Sequence, residues 1–200
     1  MSMHRAKRGP IIAIAVLIGF VLFFYSPWEL SSSLIPGQRG EVNELYGLLR
    51  LVTGDQPGND HVLNDPQLDP TETVDWSVYA AGEPDVNWWK EAKRINKVHP
   101  IIVFSKTYCP YSKRAKKLLE SYDITPPPKV IEVDVRDDGI VIKNLLSRLT
   151  GHSTFPNIIV QGKSIGGSDN LAGLHSSKEL RNLIEKAGAK ARKNGPEETD

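Results

Sequence analysis

Apolar and polar positions divide this chain into regions of different character. Ile11 to Tyr25 is uncharged and apolar apart from Gly19, with His4, Arg5, Lys7 and Arg8 ahead of it. Residues 29 to about 85 are rich in Gly, Pro, Asp and Ser, and turn pairs such as Pro57-Gly58, Asp65-Pro66 and Asp69-Pro70 break up any periodicity. One island interrupts that stretch. Val42, Leu45, Leu48, Leu49 and Val52 recur at helical spacing, which predicts a short helix or docking element, weakened by Gly47. From Val86 onward the pattern is that of a compact domain. Trp88, Trp89, Ala92, Ile95 and Val98 predict an opening helix, the β-branched run at 100–106 a strand, and Leu118 and Leu119 a helix over 110–122. A strand at 129–135 and a helix at 138–150 follow, the latter carrying Ile142, Leu145, Leu146 and Leu149. Strands at 157–161 and 163–166 flank a Gln161-Gly162 turn, and a final helix from Ser177 holds Leu180, Leu183 and Ile184.

After the opening helix the order is β-α-β-α-β-β-α. A strand, a helix and a second strand imply a right-handed parallel unit. The last two strands, joined by a tight turn, imply an antiparallel hairpin. The expected fold is therefore α/β, a mixed four-stranded sheet flanked by helices. The working boundaries are a basic tail at 1–9, an anchor at 10–28, a flexible stem at 29–85, the domain at 86–188 and a loose polar tail at 189–200. The stem is read as flexible because its composition buries too little surface to offset chain ordering.

The apolar run approaches the length of a membrane span. It ends in bulky Phe23-Phe24-Tyr25, with only Ser31 and Ser33 as weak cleavage signals, so an uncleaved signal anchor is favoured over a removed signal peptide. The basic flank would stay cytoplasmic, with Tyr25 and Trp28 at the far interface, giving a single-pass type II protein whose bulk is lumenal. The shortness of the span suits the thinner early secretory membranes, ER or Golgi. The formal net charge of +1 argues against nucleic-acid binding.

Cys109 is the single cysteine, placed where strand 100–106 meets helix 110–122. Pro110 suits a first helical turn. A thiol at such a start feels the positive end of the helix dipole and the first-turn N–H groups, both favouring thiolate, and Lys106 and Lys113 add to this. The position three residues on is Ser112, whose hydroxyl can donate to a thiolate but cannot resolve a disulfide. Any disulfide at Cys109 therefore needs an external thiol.

Three motifs in order, Lys106-Thr-Tyr-Cys109-Pro-Tyr-Ser112, Thr154-Phe155-Pro156 and Gly166-Gly167-Ser168-Asp169, resemble those of the glutaredoxins over about residues 87 to 188. With serine in place of a second cysteine, an N-terminal anchor and a spacer, the chain is similar to the membrane-anchored monothiol glutaredoxins of the fungal ER and Golgi. The resemblance implies a thioredoxin-like fold, a cis bond before Pro156, and glutathione as co-substrate. It implies Cys109 as the catalytic thiol. Lys106 would take the glycine carboxylate, the Phe155 backbone would pair with the ligand, and Tyr111 would line its groove. The N–H groups of Gly167 and Ser168 would take the γ-glutamyl carboxylate, and Asp169 the ammonium. Ser153 stands where many members have a basic residue, with His152 before it, and Phe155 replaces the usual valine. The implied activity is deglutathionylation of protein–glutathione mixed disulfides. Its rival is a [2Fe–2S] cluster held between two protomers by Cys109 and glutathione, which members with proline in the position of Pro110 generally do not form. A third reading is a non-catalytic tether whose stem recruits partners.

Overall fold

The computed structural model describes residues 42–54 and 62–196. The basic tail at 1–9 and the anchor at 10–28 lie outside the described residues. Among the described residues no helix is long and apolar enough to cross a membrane. In chain order the elements are α1 (Leu45–Thr53), α2 (Trp76–Ala80), α3 (Trp88–Val98), β1 (Ile101–Ser105), α4 (Pro110–Ser121), β2 (Ile124–Thr125), β3 (Lys129–Glu132), α5 (Gly139–Thr150), β4 (Asn157–Val160), β5 (Lys163–Ser164), α6 (Ser168–Ser176), α7 (Leu180–Lys186) and β6 (Lys190–Ala191), with 3₁₀ turns at Val62–Asn64 and Val133–Val135.

The sheet order is β3-β1-β4-β5. β1 runs parallel to β3, with Phe104 opposite Ile131, and antiparallel to β4, with Ile102 opposite Ile159. All five β1 residues are buried because side chains alternate between two covered faces. Ile102 and Phe104 meet Ile131, Ile159 and α5 residues Ile142, Leu145 and Leu146 on one face. Ile101 and Val103 meet Ile158, Ala115 and Leu119 of α4, Leu171 of α6 and Ile184 of α7 on the other. This is the mixed four-stranded sheet flanked by helices expected from the element order, and it agrees with the thioredoxin-like fold that the resemblance implied. The predicted strand 129–135 ends at Glu132, where the chain tightens into the 3₁₀ turn. β5 itself covers only Lys163–Ser164, but Ile165 N–H donates to Ile158 O at 2.9 Å and Gly166 O accepts from Ile158 N–H at 3.0 Å, carrying the pairing to residue 166. α7 begins at Leu180 rather than Ser177, which instead closes α6.

Two boundary readings need correction. The stretch read as a flexible stem packs into the domain from α1 onward. Leu45, Leu48, Leu49, Leu63, Val74 and Tyr79 are buried in the same cluster as Phe104 and Leu145. Arg148 of α5 clamps the carboxylate of Glu44 at 2.9 and 2.6 Å and donates to the carbonyl of Pro70 at 2.9 Å. Tyr79 Oη donates to the same carboxylate at 2.8 Å. Arg50 of α1 donates to the carbonyls of Tyr79 and Ala80, tying α1 to α2. Gly47 does not weaken this helix. A Cβ there would stand 2.5 Å from the Tyr79 ring, so only glycine admits the close packing of α1 on that tyrosine. Average composition misled because few residues carry the burial, and the surface they cover belongs to other elements, α3 and α5 among them.

The tail beyond Gly188 is likewise ordered at its start. β6 pairs antiparallel with β2, Thr125 opposite Lys190, and Ala189 and Ala191 are buried against the α4–α7 face. Small alanines give a weak hydropathy signal yet are buried in the same cluster as Tyr122 and Leu119.

Candidate active site

Three loops meet at the carboxyl end of β1. The loop before α4 brings Lys106 to Cys109, the turn after α5 brings His152 to Pro156, and the turn after β5 brings Gly166 to Asp169. Cys109 is the N-cap of α4, in an extended conformation, with Pro110 at the first helical position. Its carbonyl accepts from Lys113 N at 3.0 Å, and its own N–H donates to Lys106 O at 3.1 Å. The half-buried sulfur faces the cis-proline turn, 3.7 Å from the carbonyl of Phe155, and the Phe155–Pro156 peptide is cis.

Burial pushes the Cys109 thiol up, but the Ser112 N–H and hydroxyl, the Tyr111 N–H and the charge of Lys106 outweigh it, so the group lies below its ordinary value. These donors are the unpaired first-turn groups that any helix start presents. Ser112 is fully buried, and its Oγ also accepts from Lys106 N at 3.3 Å. Lys113 was expected to help. It is exposed on α4, and the cation acting on the thiol is Lys106.

The Lys106 ammonium lies 5.3 Å from the Phe155 ring centroid and 3.3 Å from Tyr108 Oη. Its loop is held by Asp134, which accepts from both the N–H and the hydroxyl of Thr107. Those hydrogen bonds keep Asp134 below the usual carboxylate range, with Lys106 contributing. Sequence reasoning gave Thr107 and Asp134 no role, and nothing local links them. His152 has become part of the turn: its Nε2 is 3.1 Å from Pro156 O and 3.2 Å from Thr154 Oγ1.

At the third loop Gly166 has φ +92°, a conformation that favours glycine, and a Cβ there would strike Asn170 Oδ1 at 2.4 Å. That Oδ1 accepts from Gly167 N at 3.1 Å. The Gly167 N–H assigned to a ligand carboxylate is therefore already committed within the protein, a correction to the sequence reading. An Asn two residues into the helix behind a Gly-Ser start was the available cue, since side chains at N3 commonly reach back to the N-cap. Ser168 and Asp169 are bridged from α4 by Arg114. Its Nε donates to Ser168 Oγ at 2.7 Å, its Nη2 pairs with Asp169 Oδ1, and its guanidinium lies 5.4 Å from the Tyr111 ring centroid. Arg114 was also passed over, although it stands three residues after Tyr111 on the same helix face. Tyr111 and Tyr108 are both more than half exposed and border the thiol. Among the described residues no cluster of three or more His, Cys, Asp or Glu side chains suits a metal ion.

The site is thus an acidified thiol beside a backbone carbonyl, with one cation on one side and a cation–carboxylate pair on the other. The family model described as Glutaredoxin matches residues 101–165. Monothiol glutaredoxin-S6 of Oryza sativa subsp. japonica is 44% identical over 84 residues, 42% of this chain, which spans only 63% of that relative's length. A glutaredoxin of Ricinus communis is 40% identical over 99 residues, covering 50% of this chain and 95% of the relative. Among solved structures, a buckwheat glutaredoxin–glutathione complex is 36% identical and covers 51% of this chain and 91% of that one, with a TM-score of 0.46.

Proposed function

This chain belongs to the glutaredoxin family, thiol–disulfide oxidoreductases that use glutathione, and from that premise we propose that it acts by a monothiol mechanism on protein–glutathione mixed disulfides. The observation that carries the reading is Cys109, an acidified thiol at a helix start with Ser112 where a resolving cysteine would stand. The Cys109 thiolate attacks the glutathione sulfur of the mixed disulfide, the client's sulfur leaves as thiolate and takes a proton from solvent, and Cys109 becomes glutathionylated. A second glutathione, as thiolate, attacks the sulfur of that adduct. Oxidised glutathione leaves, and Cys109 returns as thiolate. Each turnover oxidises one free glutathione and joins it to the glutathionyl group the client carried, giving one glutathione disulfide for each client thiol restored.

Glutathione lies along the three loops in this reading. Lys106 meets the glycine carboxylate, the Phe155 backbone pairs with the cysteine residue as a strand would, and Asp169 meets the γ-glutamyl ammonium. Thr154, Pro156 and Tyr111 shape the walls, and Gly167 and Ser168 bound the far end. The test is turnover of a glutathionylated peptide by the full chain. Activity that survives Cys109→Ser refutes the mechanism. A [2Fe–2S] cluster needs four sulfur ligands, of which one chain supplies one, so a brown purified protein would turn the reading toward cluster binding.

We further propose that residues 10–28 anchor the chain as a type II membrane protein of the ER or Golgi, with the catalytic domain lumenal. The basic flank and the uncharged run support this. Protease added to sealed microsomes should spare residues 30–200. Digestion without detergent, or a mature N-terminus near Ser33, overturns the anchor.

A further inference from the structure

Arg114 lies across the residues that would hold the γ-glutamyl end of glutathione and brings a cation to them. We infer that Arg114 is a specificity-determining residue that takes the γ-glutamyl α-carboxylate while Asp169 takes the neighbouring ammonium. The inference rests on glutathione being the ligand. Three observations carry it. The Gly167 N–H, one of the two expected anion donors, is spent on Asn170 Oδ1, which leaves the Ser168 N–H to act beside a cation. Arg114 engages Ser168 and Asp169 through its Nε and Nη2, leaving Nη1 with no partner among the described residues. The side chain is about half exposed, so that edge is within reach of a ligand.

The chemistry matches in sign and in spacing. A γ-glutamyl group ends in a zwitterion, with ammonium and carboxylate on one carbon. An arginine beside an aspartate presents the reverse arrangement, with the guanidinium suited to forked contact with a carboxylate. The Arg114–Asp169 pair is exposed, Asp169 the more so, and an exposed ion pair contributes little by itself. A ligand can therefore replace half of each group's contacts at small cost, leaving no charge unpaired. The Tyr111 ring and the buried Ser168 hydroxyl limit the guanidinium's movement, which keeps the clamp pre-formed.

The same contact admits an opposite reading, in which Arg114 merely occupies Asp169 and competes with the ligand's ammonium. The two predict changes of opposite sign. In the full chain, turnover of a glutathionylated peptide is compared with that of the same peptide carrying cysteinylglycine, which lacks the γ-glutamyl group, with a small dithiol in excess as the resolving thiol. For the clamp, Arg114→Gln raises KM for the glutathionylated peptide about tenfold, the size of one charge-assisted contact partly screened by solvent. kcat changes little, the cysteinylglycine peptide is unaffected, and Arg114→Lys recovers part of the loss. The Cys109 alkylation profile stays unchanged, which a general distortion of α4 would not allow. An unchanged or lowered KM in Arg114→Gln, or equal losses on both peptides, overturns the inference. Wild-type protein that turns over neither peptide defeats the monothiol reading itself.

Discussion

Ser112→Ala is expected to slow Cys109 below the thiol's titration midpoint and to speed it well above that midpoint. Ser112 is fully buried under the thiol, and both its hydroxyl and its N–H act on the sulfur. The substitution deletes the hydroxyl and keeps the two backbone donors and Lys106. A hydrogen bond to a charged group contributes about 1.5–3 kcal/mol, and the half-exposed sulfur places this one at the lower end. At about 1.4 kcal/mol per factor of ten, the variant holds roughly tenfold less thiolate at a fixed pH below its titration. The remaining contact, toward the Phe155 carbonyl at 3.7 Å, favours the protonated form and is unaffected. Less acidic thiols make stronger nucleophiles once ionised, with a slope of about 0.4–0.5 per pKa unit, so the variant's plateau should lie about threefold higher. The two profiles therefore cross. Alkylation rate against pH, followed by mass spectrometry on the full chain, measures this directly. Coincident profiles, or a variant faster at every pH, would refute the assignment of the hydroxyl as a thiolate donor. A loss of folding, visible in the thermal midpoint, is checked alongside because Lys106 N also loses its acceptor.

Lys106→Gln should raise the thiol's titration midpoint and weaken deglutathionylation by about tenfold, as expected for losing one charge-assisted contact; an unchanged alkylation profile would remove Lys106 as the charge acting on the sulfur. Leu48→Ala, at a fully buried position of α1, should cost about 2–5 kcal/mol in denaturant unfolding, whereas a change within about 0.5 kcal/mol would be that of a surface site and would restore the spacer reading of this segment. Gly47→Ala should also destabilise, because its Cβ would stand 2.5 Å from the Tyr79 ring. Burial raises the Glu44 carboxyl, but hydrogen bonds from Arg148, Tyr79 and Val74 N, with the Arg148 charge, hold it below its ordinary value. A carboxylate depressed in the folded state stabilises fully above its unfolded pKa and loses that contribution as pH falls through the folded one. Unfolding free energy in Glu44→Gln should accordingly be lower than wild type at neutral pH and should fall less between about pH 5 and the folded value, a convergence that identical acid limbs would contradict.

Much of the catalytic half was legible because its signals are short-ranged. An unbroken apolar run at 101–104 marks a strand with two covered faces, and a cysteine followed by proline before Ala115 and Leu119 marks a helix start. The donors that acidify Cys109 come from Tyr111 and Ser112, within three residues of it. The α1 helix was visible as a spacing of leucines, yet its burial was not, since nothing in those residues says which surface they meet.

Residue types and their local spacing were enough to mark the reactive sulfur, the serine in place of a resolving cysteine and the order of the four main-sheet strands, whereas the helices at Trp76–Ala80 and Ser168–Ser176 and the β2–β6 pair were not legible there. Tertiary structure decided which polar groups remain open to a ligand. Arg114 reaches Asp169 across 55 residues, Asp134 reaches Thr107 across 27, and Arg148 reaches Glu44 across 104. Each of these contacts joins segments that only the folded domain brings together. A charged residue's role there depends on which partner the fold leaves within hydrogen-bond distance, and no local pattern encodes that distance.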